Sequence, residues 1–367
     1  MSKKTIIELC MSPDLGGLEL YMVQVAKALC DEFHVISVIN EDTKLDSYYN
    51  TDENVVKLKK SSKLLMFGAA RKLAKLIDKN SVDIVHIHWT KDIPFVVLAK
   101  MLSEKKPKLV QTRHMTMTRF KDDFYHRMMY KQLDLILAIT YQVKEQLEKF
   151  IPNDIRPDIQ LLYNGVNEEK RLEDQEILNY KQKFGFKENS FNVGMVGRIN
   201  EAKGQHLLIK ALNEIKNINV HIYFVGHEMT EGYVEKLKDL SKELGVQTRV
   251  HFLGFLENPQ HFYQLCDVLV LASKRETFGL VLVEAMSAGT AVVGSNSGGV
   301  LEIIDDEETG LLFEAQNFKS LARSIEKLIN DKSLLAKIAK NGQIKSKEKF
   351  SSEKQTLKLV DIFSTLL

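Results

Sequence analysis

With 367 residues, 44% of them hydrophobic, the chain is too long for one ordinary core and suits two domains of similar size. Six prolines and no low-complexity tract argue against a disordered chain. A net charge of +2 disfavours a nucleic-acid binder. Three scattered cysteines, Cys10, Cys30 and Cys266, fit a reducing compartment and small buried hydrophobes rather than a disulfide or metal set.

In chain order, residues 5–11 read as a strand, too short for a signal-peptide core. Gly16-Gly17 then opens a helix over 18–30, and 33–40 reads as a second strand. A helix over 64–79 precedes a strand at 83–88, and 108–113 and 133–140 read as two more. Tyr163-Asn164-Gly165-Val166 reads as a turn, followed by a charged helical stretch at 168–184, with the hinge near 166–172. The rhythm then restarts: strand 191–197, helix 204–216, strand 219–225, helix 231–244. Segments 249–253, 260–265 and 267–271 come next, then helix 279–288, strand 290–294 and a terminal helical region. Such alternation predicts an α/β protein with two doubly wound, Rossmann-like domains: an N-terminal one over 1–166 and a C-terminal one over 167–350. Residues 351–367 form a terminal helix packing back towards the first. Ligands are expected beyond the carboxyl ends of the strands, in a cleft. No stretch nears the roughly 20 apolar residues of a membrane span, so a cytoplasmic protein is expected, possibly at the inner face of the cytoplasmic membrane.

The segment 273–289 carries the strongest chemical signal. An apolar strand ends in a polar loop, and a helix begins near Phe278-Gly279. A helix N-terminus offers free N–H groups and a positive dipole end, so it suits a phosphate, and Gly279 allows close backbone approach. Glu276 lies just before that helix and Glu284 about two turns inside it, in an apolar setting that penalises an unpaired carboxylate. The bland alternative makes Glu276 a helix cap and Glu284 half of a surface pair. Arg198 and Lys203 follow the strand 191–197 and precede Gly204, where cations would stabilise a departing diphosphate more than the bound one. His114 ends the strand 108–113, with Arg113 as a competitor for its role. His86 and His88 share one strand face; two histidines without a third ligand make no metal site.

These segments together resemble the retaining GT-B glycosyltransferases of family 4. Glu276 and Glu284 around Phe278-Gly279 are similar to its paired-glutamate motif. Gly16-Gly17-Leu18-Glu19 resembles its glycine loop, and Val196-Gly197-Arg198 with Lys203-Gly204 its phosphate clamp. Asn164-Gly165-Val166 resembles its interdomain turn, and Ser297-Gly298-Gly299 and Thr309-Gly310 also fit. The resemblance covers nearly the whole chain; residues 40–80 and 115–130 are least typical.

It implies a hexosyltransferase that moves a hexose or N-acetylhexosamine with retention from a nucleotide-diphosphate sugar, UDP favoured, to a glycan or glycolipid in bacterial cell-surface polysaccharide or lipopolysaccharide assembly. No bound cofactor is implied, and no metal requirement. By the same resemblance Glu276 and His114 serve the sugar, Glu284 the ribose, the backbone of Phe278, Gly279 and Leu280 the diphosphate, and Arg198 and Lys203 its charge. Gly16 and Gly17 line the donor side, and the base stacks near Gly226 and Leu256. Rival readings are a GT-B nucleotide-sugar epimerase, which would turn over donor without acceptor, and a non-catalytic nucleotide-sugar-binding protein.

Residues 57–79 carry seven lysines and Arg71 against Asp78 alone. Lys57, Lys59, Lys60 and Lys63 beside Leu64, Leu65, Phe67, Leu73, Leu76 and Ile77 suit an anionic membrane surface and a lipid-linked acceptor. The competing reading is a core-facing helix with a solvated lysine face.

Overall fold

In the computed structural model the described residues are 3–41, 43–49, 54–59, 63–168, 170–256 and 258–367, with the side chains of 63–65 left aside. They form two compact units, Met1–Asn164 with Glu353–Leu367, and Gly165–Ser352. The terminal helix Ser352–Leu366 therefore belongs mostly to the first unit.

The first unit is a seven-stranded sheet. Its strands are β1 (Thr5–Cys10), β2 (His34–Asn40), β3 (Val55–Leu58), β4 (Ile84–Ile87), β5 (Lys108–Arg113), β6 (Leu135–Ala138) and β7 (Asp158–Leu161). They lie in the order β3-β2-β1-β4-β5-β6-β7, all parallel. Such a sheet is covered on both faces, so its strands read as continuous apolar runs. Ile7, Leu9, Val85 and Ile87 turn to a core that includes Ala70, Leu73 and Ile77 of the helix Lys63–Lys79 and Phe95 and Val96 of the helix Ile93–Leu102. Their alternates Ile6, Ile84 and Val110 turn to Tyr21 and Val25 of the helix Gly17–Leu29 and to Leu359 and Phe363. Each such buried aliphatic side chain contributes about 1.5–3 kcal/mol.

The second unit has six parallel strands: β8 (Phe191–Val196), β9 (Val220–Val225), β10 (Val250–Gly254), β11 (Val268–Leu271), β12 (Ala291–Ser295) and β13 (Leu311–Phe313). Their order is β10-β9-β8-β11-β12-β13. The segment 260–265, expected between strands, is a helix, Gln260–Leu265. Gly194 leaves room for it, because a Cβ there would lie 2.6 Å from the Cys266 sulfur and 2.9 Å from the Phe262 ring. Cys10 and Cys266 are buried as expected, whereas Cys30 is exposed.

The helix face of the first sheet is interrupted by charge. Glu8 on β1 is fully buried, and its carboxylate accepts from His86 Nδ1 at 2.9–3.0 Å and from His88 Nε2 at 2.6 Å. Thr112 Oγ1 lies 2.7 Å from His86 Nε2. Glu8 is the third partner that the histidine pair lacked in the sequence. The three groups could offer one atom each to a metal ion, but the 2.6–3.0 Å separations are those of shared protons. Burial pushes the Glu8 carboxyl up, and the two imidazoles outweigh it and hold it below the usual range. Burial lowers His88 from its ordinary 6.5 to about 4, with His86 adding to the effect.

Both shifts act in one direction. The unfolded chain takes up protons as pH falls through about 6.5 at His88 and about 4.5 at Glu8, before the folded chain does. Stability is therefore full near pH 7 and declines on acidification. The thermal midpoint is expected to drop steadily between pH 6.5 and 4; a flat profile over that window would contradict the assignment. Glu8→Ala, which strands two buried imidazoles, should cost about 3 kcal/mol in denaturant unfolding at pH 7.

Candidate active site

In each sheet the strand order reverses once, between β1 and β4 and between β8 and β11; Gly16-Gly17 follow β1, Arg198 and Lys203 follow β8, and Glu276 follows β11. In the second unit, β8 ends at Val196 and the chain turns through Gly197, with Arg198 exposed and making no ion pair among the described residues. Gly226 follows β9 at φ +147°, and a Cβ there would sit 2.0 Å from the Gly197 carbonyl oxygen. Only glycine lets these two strand ends meet.

Asn200 then caps the short turn Glu201–Lys203, its side-chain oxygen accepting from Lys203 N at 3.1 Å. Gly204, left-handed at φ +84°, starts the helix Gln205–Glu214; a Cβ on it would meet the Ala272 carbonyl oxygen at 2.3 Å. Lys274 N donates to Ala202 O at 2.9 Å. The loops after β8 and β11 are thus laced together, and across them Lys203 Nζ pairs with Glu276 at 2.8 Å.

Glu276 does not cap the helix that follows. The cap position is Gly279 at φ +101°, and no side chain caps it; Leu282 N donates to Gly279 O at 2.9 Å, which leaves the amides of Leu280 and Val281 for an anion. The Ser297-Gly298-Gly299 segment explains the shape of the Glu276 loop: Cβ atoms at Gly298 and Gly299 would lie 2.1 Å from Glu276 O and 2.2 Å from Thr277 O. Gly299 N donates to Glu276 O at 3.0 Å. Phe278 is buried edge-on against Phe350. Glu284 sits one turn into the helix rather than two, half-buried, and accepts a 2.5 Å hydrogen bond from the Tyr263 hydroxyl. The second unit therefore assembles Arg198, Lys203, Gly226, Glu276, Phe278, Gly279, Leu280 and Glu284 at or just beyond the carboxyl ends of β8, β9 and β11, with Leu256 half-buried after β10. Tyr263 was not foreseen, because a tyrosine on a six-residue helix gives no sign of a partner 21 residues away.

Gly16, Gly17 and His114 belong to the first unit. Gly16 is extended, and its carboxylate neighbour is Glu19 Oε2, 3.3 Å from where its Cβ would be. His114 stacks against His88 and meets the edge of Tyr21. Burial first, then His88, His86 and Arg113, push its pKa well below 6.5, so it is neutral at pH 7. Its Nε2 is buried without a hydrogen-bond partner among the described residues. Arg113 does not compete for its role: that guanidinium is spent on Thr90 Oγ1, Met115 O and Thr116 O at 2.7–3.1 Å.

The lysine stretch is only partly as expected. Lys57 is exposed but pairs with Asp46 at 2.6 Å, and Lys59 is exposed. Lys60 and the Lys63 side chain lie outside the described residues. Leu73 and Ile77 are buried in the sheet core and Leu76 packs against it, so of the described apolar side chains on that helix only Phe67 is exposed. This is the core-facing alternative for most of the helix.

Models of two families match the chain: Glycosyltransferase Family 4 over residues 15–170, and Glycosyl transferases group 1 over 176–345. The capsular polysaccharide biosynthesis glycosyltransferase CapM of Staphylococcus aureus is 27% identical, over 92% of this chain and 90% of that one. The N-acetyl-alpha-D-glucosaminyl L-malate synthase of Bacillus anthracis is 26% identical, over 93% and 92%. Among solved structures, Anabaena HepE in complex with UDP-glucose superposes with a TM-score of 0.86 at 23% identity, covering 98% of this chain and 99% of that one. Two parallel α/β units of this topology, with both models matched in order, make the chain a glycosyltransferase of family 4 with the GT-B fold.

Proposed function

We propose that the protein transfers a hexose or N-acetylhexosamine, with retention, from a UDP-sugar to a glycan or glycolipid in bacterial cell-surface polysaccharide assembly. The observation that carries this reading is the Lys203–Glu276 pair, beside Arg198 and the uncapped helix Leu280–Ser287. A diphosphate brings negative charge to two cations and a helix N-terminus, while the carboxylate takes sugar hydroxyls. The names of CapM and the UDP-glucose complex of HepE support the polysaccharide setting and the uridine donor.

In the proposed reaction the bond from the anomeric carbon to the β-phosphate oxygen breaks. The acceptor oxygen bonds the same face of that carbon, and its proton passes to the departing phosphate. Charge grows on the leaving group, so Arg198 and Lys203 bind the transition state more tightly than the donor. Glu276 positions the sugar, with His114 of the first unit assigned to it as well. No metal is assigned, because two cations and the amides supply the neutralising charge.

The N-terminal unit is assigned the acceptor and an anionic membrane surface. Phe120 and Phe124, 63% and 83% exposed, flank Lys121 in the chain and are assigned to that surface as further apolar anchors. Among the described residues no helix is long and apolar enough to cross a membrane.

Three outcomes test this. Thermal denaturation with UDP, GDP, ADP and CMP should show a shift with UDP, about 2.7 kcal/mol at a hundredfold excess over its dissociation constant, lost in Glu284→Ala and Lys203→Ala. Stabilisation by no nucleotide would sink the donor site. Transfer should survive EDTA unchanged, while Lys203→Ala lowers kcat by about 100-fold or more; loss on chelation would bring in a metal. Vesicles containing anionic lipid should sediment with the wild type but not with a Lys57→Glu, Lys59→Glu, Lys60→Glu, Lys63→Glu variant, and weakly with Phe120→Ser/Phe124→Ser. Equal sedimentation of all three would remove the membrane from the proposal.

A further inference from the structure

The loop after β1 leads into the helix Gly17–Leu29, and Glu19 in its first turn is only 6% exposed. Among the described residues its carboxylate makes neither a hydrogen bond nor an ion pair. Two other glutamates show the contrast. Glu8, also buried in the first unit, is held by two imidazoles. Glu176, at the same position of the helix Asp174–Lys183, reaches back to the N-cap and accepts from Glu173 N at 2.9 Å. Glu19 makes no such bond to Gly16. The helix dipole favours a carboxylate in the first turn, but that effect is weak beside the lost solvation of a buried ion. The chain therefore gives up stability to keep an acceptor of hydrogen bonds at this place.

Gly16 shows where the carboxylate points. Its backbone is extended at φ −165°, which any residue adopts, so the main chain does not require glycine there. Of the described atoms outside its chain neighbours, only Glu19 Oε2 comes within 4 Å of where a Cβ would stand, at 3.3 Å. A side chain at 16 would press on that oxygen, and its absence leaves the approach to the carboxylate open.

We propose that Glu19 binds the sugar acceptor, its two oxygens accepting from a pair of neighbouring hydroxyls on one ring. This rests on the assignment of the acceptor to the N-terminal unit in the proposed function. A carboxylate has acceptor sites only, about four over two oxygens, so it selects groups that donate. Charge keeps phosphates and carboxylates away from it, and an alkyl chain has nothing to donate. A pyranose ring offers hydroxyls side by side. Hydrogen bonds to a charged group are the strong ones, and shelter from water strengthens them further. The part of the acceptor that meets Glu19 is therefore an uncharged pyranose unit, and any phosphate or lipid that the acceptor carries lies away from it.

The test measures by calorimetry, in excess UDP, the binding of methyl α-D-glucopyranoside, methyl α-D-galactopyranoside and methyl N-acetyl-α-D-glucosaminide to the wild type, Glu19→Gln and Glu19→Ala. Affinities for UDP and UDP-glucose and midpoints of urea unfolding are measured on the same proteins. The wild type should bind at least one glycoside. That affinity should fall about tenfold in Glu19→Gln, which keeps one acceptor oxygen, and be lost in Glu19→Ala. UDP and UDP-glucose should bind all three proteins alike. The urea midpoint of Glu19→Gln should stay level or rise, because no native partner is lost. A clearly lower midpoint would make Glu19 a structural residue, and equal glycoside binding by all three proteins would show that the sugar does not use it. Either result overturns the inference and leaves the acceptor assignment standing. UDP-glucose weakened with UDP unchanged would move Glu19 to the donor sugar, which also overturns it. A wild type that binds none of the glycosides removes the sugar acceptor from the N-terminal unit, and the inference falls with that reading.

Discussion

The candidate donor site depends on backbone brought to within van der Waals distance of backbone at four glycines. At Gly226 against Gly197, Gly204 against Ala272, Gly298 against Glu276 and Gly299 against Thr277, a Cβ would lie 2.0–2.3 Å from a carbonyl oxygen. No side chain can be accommodated by adjusting a rotamer, because each obstacle is main chain. The strand ends β8, β9 and β11 and the loop before Leu280 are therefore locked in register with one another. Lys203 and Glu276 meet across two different loops, and a shift of either loop by 1 Å would open a 2.8 Å ion pair. The glycines place the charges to which the proposed chemistry is assigned.

The first unit solves a different problem. A parallel sheet covered on both faces leaves little room for ionised groups, yet Glu8, His86 and His88 are all fully buried in it. The cost of burying the carboxylate is offset by two imidazole donors, and with Thr112 the arrangement satisfies all but one of the ring nitrogens involved, His88 Nδ1. His114, at the end of the neighbouring strand, inherits a neutral state from this setting and leaves its own Nε2 unpaired. Polar side chains therefore reach the carboxyl end of this sheet already oriented, and the enzyme's stability carries their pH dependence.

Most of the architecture was legible, because strand-length apolar runs alternate with helical periodicity and the glycines mark the turns. The elements that escaped are instructive. The strand Val55–Leu58 lies at a sheet edge and is short and lysine-rich, and Leu311–Phe313 is only three residues long. The helix Ile93–Leu102 is apolar nearly all round and shows no amphipathic stripe. Within the site, motifs on a single stretch of chain were readable: Glu276, Gly279, Arg198 and Lys203. Partners from distant segments were not. Glu8 lies about 80 residues from His86 and His88, and Tyr263 lies 21 from Glu284, with nothing local to pair them. The basic stretch misled in part because charge density is visible in sequence, while the burial of Leu73 and Ile77 is decided by the sheet beneath them.

The preformed Lys203–Glu276 pair bears on how the proposed reaction gains rate. A partly buried ion pair is weakly stabilising by itself, since desolvation offsets most of the attraction. Its value lies in what replaces it. In the proposed reaction the lysine is assigned to phosphate oxygens whose charge rises as the bond breaks, and the carboxylate to sugar hydroxyls. The ground state gives up one ion pair for contacts of similar worth, so binding alone gains little. The transition state, with more charge on the leaving phosphate, gains from the same lysine at no further cost in ordering, because the interlocked loops already hold it. Interactions that strengthen only as the bond breaks raise kcat rather than tighten substrate binding. Pairing the two groups before the donor arrives thus keeps both charges solvated by each other, positioned, and available for the step at which they count.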